Sequence, residues 1–174
     1  MHIAKRFLIA ITLTFTGATL GIWLVGYLNS PEYTASKAAR YVGTPDQIVA
    51  YLSEVDTGPS RRGEVAETTS ILGTSDGTTQ WDQTTTNGAK INYHLVSENV
   101  SKKLTVGVTS ASFGMTVTWN YTITPVSETV SEVNIEELLH IQNSWIRGIM
   151  VVTGRDAQLK QEHRHLADRF ELGI

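Results

Sequence analysis

The run from Phe7 to Leu28 constrains this chain most: 22 residues without a charged side chain, directly preceded by Lys5 and Arg6. As a helix it spans roughly the 30 Å hydrocarbon core of a bilayer. Trp23 and Tyr27 near its far end suit the aromatic belt of a membrane interface. A buried core helix would be interrupted by polar residues marking a wet face. A cleavable signal sequence usually has an apolar region of about 7–15 residues ending in small residues. Here the run is longer and closes on Gly26-Tyr27-Leu28-Asn29-Ser30-Pro31, a poor match to such a site. The segment therefore reads as an uncleaved anchor over residues 1–30, contacting the membrane through residues 7–28. Lys5, Arg6 and the amino terminus precede the span, and no base follows it until Lys37. The positive-inside bias then predicts a single-pass protein with residues 31–174 outside the cytoplasm, in a cell envelope. Gly17 and Gly21 form a GxxxG pair through which two such helices could dimerise.

Residues 1–30 hold Lys5 and Arg6 and no acid. Of the chain's 14 basic and 17 acidic residues, 12 and 17 therefore remain beyond them, a net charge of −5. No basic run exceeds two residues, which argues against nucleic acid as a partner. An acidic domain is not drawn to anionic lipid either, so the anchor must hold it at the membrane. The absence of cysteine excludes disulfides, thiolate metal sites and cysteine nucleophiles.

Beyond Asn29–Glu32, a short polar connector, residues 34–42 read as a first strand. Thr44, Pro45 and Gln47 form a capping-box helix start. Ile48, Val49, Leu52 and Val55 supply the apolar stripe of a short helix ending before Gly58-Pro59. Six strands are then predicted, over 64–72, 79–86, 89–97, 103–110, 113–124 and 130–141, with tight turns at Asp76-Gly77 and Asn87-Gly88. Alternation is clearest where Met115, Val117, Trp119, Tyr121 and Ile123 interleave with threonines and Asn120. A period of two with one wet face means an antiparallel sheet covered on one side. The cover is a C-terminal helix over about 143–172, read as one long element with Trp145, Ile149, Val152, Asp156, Leu159, His163, Leu166 and Phe170 on one face. The predicted class is α+β: a curved antiparallel sheet of about seven strands around a long C-terminal helix, preceded by one transmembrane helix.

Several stretches resemble the START-like helix-grip superfamily, SRPBCC, which includes polyketide cyclases and lipid-transfer proteins, and in particular its small bacterial members with an N-terminal anchor. They are the Asn29-Ser30-Pro31-Glu32-Tyr33 junction, Thr44-Pro45-Asp46-Gln47-Ile48, Glu54-Val55-Asp56, Trp81-Asp82, Asn87-Gly88, Trp119-Asn120-Tyr121, and Glu137 ahead of Asn143. The resemblance covers about residues 31–172. One departure affects a pocket wall: Pro59-Ser60-Arg61-Arg62 stands where an aromatic residue often follows the first helix.

The resemblance implies an apolar cavity between sheet and helix. Tyr93, Met115, Trp119 and Tyr121 on the strands, with Trp145 and Ile149 on the helix, are the candidate ligand contacts, although the same side chains would serve equally as core. Glu137 and His163 interrupt apolar stripes. Buried ionisable groups are costly unless paired, so both are candidates for anchoring a ligand. As a Glu–His pair they could also act as general acid and base. His94, His140, His163 and His165 are too scattered for a metal site, and the chain has no G-x-S-x-G elbow, P-loop or Rossmann pattern. No catalytic residue, metal or cofactor is assigned. The preferred reading is a membrane-tethered domain binding a small hydrophobic ligand, lipid-like or aromatic. The alternatives are a structural or partner-binding domain with a closed core and an enzyme of the cyclase or dehydrase type.

Overall fold

The alternating segments pair into one antiparallel sheet. In the computed structural model, which describes residues 2–54, 65–73, 78–98, 102–111 and 114–173, helix α1 (His2–Leu28) leads into β1 (Glu32–Val42) and α2 (Pro45–Ser53). Strands β2 (Val65–Gly73), β3 (Thr78–Thr85), β4 (Lys90–Glu98), β5 (Lys103–Ala111), β6 (Met115–Pro125) and β7 (Val130–Ile141) follow. Helices α3 (Ser144–Thr153) and α4 (Ala157–Arg169) complete the order. The expected Asp76-Gly77 turn, Val55, the stop at Gly58-Pro59 and the Pro59–Arg62 departure lie outside the described residues.

The strands lie in the order β1-β7-β6-β5-β4-β3-β2, all neighbours antiparallel. Register shifts at Asn92/Tyr93 and in β2 locally increase bend and twist. The inner face carries Trp81, Tyr93, Val106, Val117, Trp119, Tyr121 and Ile135, all buried. Trp81 and Tyr93 are paired across β3 and β4 and stack with centroids 5.1 Å apart. The outer face is wet and polar. There Thr105 Oγ1 donates to Asn120 Oδ1 (3.0 Å), and Asn120 Nδ2 donates to Glu136 Oε2 (3.3 Å). Gly107 sits opposite His94, and a Cβ at that position would collide with the imidazole ring.

The Asn87-Gly88 turn forms as read, with Gly88 at φ 83°. The capping box of α2 forms too: Gln47 N–H donates to Thr44 Oγ1 (3.4 Å), and Thr44 N–H to Gln47 Oε1 (2.9 Å). Ile48, Val49 and Leu52 bury one face of α2.

The single helix expected over 143–172 is two helices. Gly154, at φ 108°, ends α3, and α4 restarts after Asp156. Only glycine tolerates that backbone readily, so Gly154 is a helix stop here. The break destroys the common face. Leu159, His163 and Leu166 of α4 are buried, whereas Trp145, Ile149 and Val152 of α3 are exposed. Asp156 also leaves the interior: its carboxylate pairs with Lys160 at 2.8 Å on the surface.

Of the 18 residues Ile11–Leu28, only 6% are buried, and the segment is a candidate membrane span by length and composition. Within the single chain a Cβ added at Gly17 or Gly21 would meet nothing within 4 Å.

Candidate functional site

Between the inner face of the sheet and α4 lies a cavity of about 220 Å³. Its apolar wall comes from alternate residues of neighbouring strands: Ile91 and Tyr93 of β4, Val108 of β5, and Met115, Val117 and Trp119 of β6. Side chains two apart on a strand share a face, which is why one alternating pattern yields a continuous wall. The opposite edge is polar. Gln158, Gln161 and Glu162 reach it from α4, and Thr85 and Asn87 from the β3–β4 turn.

Glu162 is buried and hydrogen-bonded. Its Oε2 accepts the phenolic proton of Tyr121 at 2.9 Å, and both residues are buried. On the same face, Trp119 Nε1–H donates to Oε2 of Glu137, its partner on β7, at 2.9 Å. Glu137 is fully buried at 0% exposure, and its Oε1 has no hydrogen-bond partner among the described residues. Burial pushes this carboxyl up to about 7, opposed by the Trp119 bond and reinforced by the negative charges of Glu162 and Asp156. Near neutral pH Glu137 therefore keeps part of its proton, beside an indole that lines the cavity. Gln158 leaves a second buried acceptor, Oε1, without a partner among the described residues.

His163 belongs to a different neighbourhood. Its Nε2 faces the Lys37 carbonyl oxygen at 3.0 Å, and its Nδ1 faces the Tyr41 hydroxyl at 2.7 Å. A carbonyl can only accept, so Nε2 carries the proton and Nδ1 accepts from Tyr41. Burial holds the imidazole below its ordinary value and pushes the Tyr41 phenol up to about 12. This arrangement fastens α4 to β1.

Tyr93, Met115 and Trp119 thus lie on the cavity wall. Tyr121 supports Glu162, and Glu137 stands beside Trp119 as its partner on β7. Trp145 (39% exposed), Ile149 (48% exposed) and His163 lie elsewhere. Sequence reasoning missed Glu162, Gln158 and Gln161. The available signal was the four-residue spacing of Gln158 and Glu162, which puts both on one stripe of a helix.

No protein-family model matches the chain, and no curated protein matches it. Solved structures do match. A START superfamily protein from Mycobacterium smegmatis aligns over 79% of this chain and 97% of its own, with TM-score 0.66 and 12% identity. The chain has the START-like helix-grip fold. The Zhui aromatase/cyclase from Streptomyces shares the fold at TM-score 0.67 and 5% identity, over 79% of this chain and 93% of its own. Norcoclaurine synthase from Thalictrum flavum, solved in complex with dopamine and hydroxybenzaldehyde, aligns at TM-score 0.60 and 12% identity, over 79% and 85%. In this helix-grip chain α4 is the gripped helix, and α1 is an addition before the first strand.

Proposed function

We propose that this protein is a membrane-tethered domain that binds a compact hydrophobic molecule in the cavity between sheet and α4. The observation that carries this reading is the cavity itself, with an apolar aromatic wall on one side and fixed polar groups on the other. Its volume falls below the roughly 300–1,000 Å³ typical of drug-sized ligands. A single ring system or short chain fits that space better than a two-chain phospholipid. The similar solved structures include one bound to small aromatic molecules, which agrees with such a size. Charge narrows the ligand further. Among the described residues no Lys, Arg or His lines the cavity, while Glu162 does. A ligand carboxylate would face the Glu162 carboxylate with no basic side chain on the lining, so the favoured head group is a hydroxyl or amine that donates to Gln158 Oε1.

α1 supplies the tether, and Lys5 and Arg6 ahead of its apolar run favour a location of residues 31–174 outside the cytoplasm. An acid–base pair of Glu137 and His163 has less support, since their polar atoms engage different partners and neither lines the cavity.

The test uses 2-naphthol and 2-naphthoate, matched in ring system and differing in head group, with tryptophan quenching as the readout. The reading predicts saturable binding of the naphthol and at least tenfold weaker binding of the naphthoate at pH 7.5. Equal affinity for both would refute the head-group assignment. Binding of neither would count against the cavity as a site for such rings.

A further inference from the structure

The end of α1 does not hang free of the domain. A Cβ added to Gly26 would run into the Ser144 carbonyl and the Gly148 nitrogen, and one added to Gly148 into the Ile22 carbonyl. Two glycines therefore let the backbones of α1 and α3 touch, the close approach that small residues allow between membrane helices. Arg147, the one charged residue of α3, is turned into this crossing and buried. Its Nε donates to the Gly26 carbonyl, Nη1 to the carbonyls of Ile141 (2.7 Å) and Gln142 (3.3 Å), and Nη2 to Ser144 Oγ (3.2 Å). The guanidinium thus caps a terminal carbonyl at the C-terminal end of α1, where a cation is favourable. Arg155 adds a second fastening, donating to Asn29 Oδ1 and lying over the Tyr33 ring at 5.4 Å.

With its only charge turned inward, α3 presents Trp145, Ile149 and Val152 outward, exposed by 39, 48 and 66%. Their spacing of four and three makes one uncharged stripe. At the end of α1 that α3 crosses, Trp23, Leu24, Tyr27 and Leu28 are exposed too. The crossing at Ile22–Gly26 begins six residues before Leu28, about 9 Å along the axis. That depth matches the roughly 5–10 Å to which the apolar face of an interfacial helix sinks.

Strand register fixes what lies beside it. Met115 pairs with Ile141, Ile91 pairs with Ala111, and Ile141 N–H donates to the Pro31 carbonyl at 2.8 Å. The cavity residues Ile91, Ala111 and Met115 therefore sit at the end of the sheet where α1 arrives and α3 departs.

We propose that α3 is a second membrane-contacting element, embedded by Trp145, Ile149 and Val152 in the interface that α1 enters, so that the cavity end of the domain faces the bilayer. This rests on the reading of α1 as an anchor. A ligand dissolved in the bilayer then reaches the cavity along α3, with little exposure to water.

Because the chain has no cysteine, single spin labels test this on the full-length protein in vesicles of equal parts phosphatidylcholine and phosphatidylglycerol. Labels go on Leu24→Cys, Ile149→Cys, Val152→Cys and, at the far end of the sheet, Glu128→Cys. Positions 149 and 152 should lose nickel-chelate collisions and gain oxygen collisions to the level of position 24, while 128 stays accessible to nickel. Position 24 in lipid with 149 and 152 open to nickel would overturn the α3 proposal and leave the anchor intact. Position 24 open to nickel would overturn both. Labels at 149 and 152 shielded from both reagents, with spin–spin broadening, would show a second copy covering α3 and would also overturn the proposal.

Discussion

Replacing Glu137 by Gln should remove one part of the pH dependence of the protein's stability. The carboxyl is fully buried, and burial lifts it from the ordinary 4.5 to about 7. Between those values the folded chain keeps a proton that the unfolded chain has released. The stability linked to this group is therefore present below about pH 4.5 and is lost as pH rises through about 7. That gap corresponds to about 3 kcal/mol. Glutamine removes the titration but keeps an oxygen that accepts from Trp119 Nε1. Its amide then occupies the position of Oε1, which has no partner among the described residues. An unsatisfied buried donor costs about 1–3 kcal/mol. The protonated parent carries an equally unpartnered O–H there, so the variant should match the parent at pH 5 and be more stable than it at pH 8. Urea unfolding of both proteins in detergent across that range, followed by near-UV circular dichroism, gives the difference curve. His163 titrates with the opposite sign: its depressed value makes stability fall as pH drops below about 6.5. It is common to both proteins and cancels in the difference. Parallel curves would refute a raised Glu137 carboxyl.

Four other outcomes follow. Trp119→Ala should cost less than the roughly 3–5 kcal/mol of a fully packed aromatic, since one side of the indole borders the cavity, and should weaken 2-naphthol binding at least tenfold. Trp145→Ala, at an exposed position, should change stability by no more than about 0.5 kcal/mol and leave naphthol affinity unchanged; thermal melts and quenching titrations check both variants. A chain cut before Pro31 should keep the near-UV signal of the folded sheet, but Arg147 loses the Gly26 carbonyl, at a cost of about 1–3 kcal/mol in urea unfolding. Protease added to spheroplasts should digest the sheet domain and spare Lys5-Arg6, and complete protection would overturn the proposed sidedness.

The sheet was legible because its strands alternate. Met115 to Ile123 and Val133 to Ile141 each bury every second residue, and the register follows from that period and the Asn87-Gly88 turn. The wall residues Tyr93, Met115 and Trp119 came out of the same pattern. The helical half was less legible. A glycine inside an apolar helical run is ordinarily tolerated, so Gly154 gave no sign that it would adopt positive φ and split the run. Once split, α3 and α4 face different ways, and a stripe projected across the break placed Trp145 and Ile149 inward. Glu137 was marked as an interruption of an apolar face, yet its partner lies on another strand, at a distance that one-dimensional spacing does not encode. The crossing of Gly26 and Gly148 depends on contacts 122 residues apart in sequence. Its only local trace was Arg147, a lone charge in an apolar ten-residue helix.

Native mass spectrometry of the full-length protein, released from detergent after purification from cells, tests the central claim most directly. A cavity that binds a compact hydrophobic donor molecule predicts a bound mass of a few hundred daltons. That mass should dissociate at higher collision energy and be absent from Trp119→Ala. A clean apo mass in the parent protein, unchanged after incubation with excess 2-naphthol, would contradict the claim and leave a closed, packed scaffold.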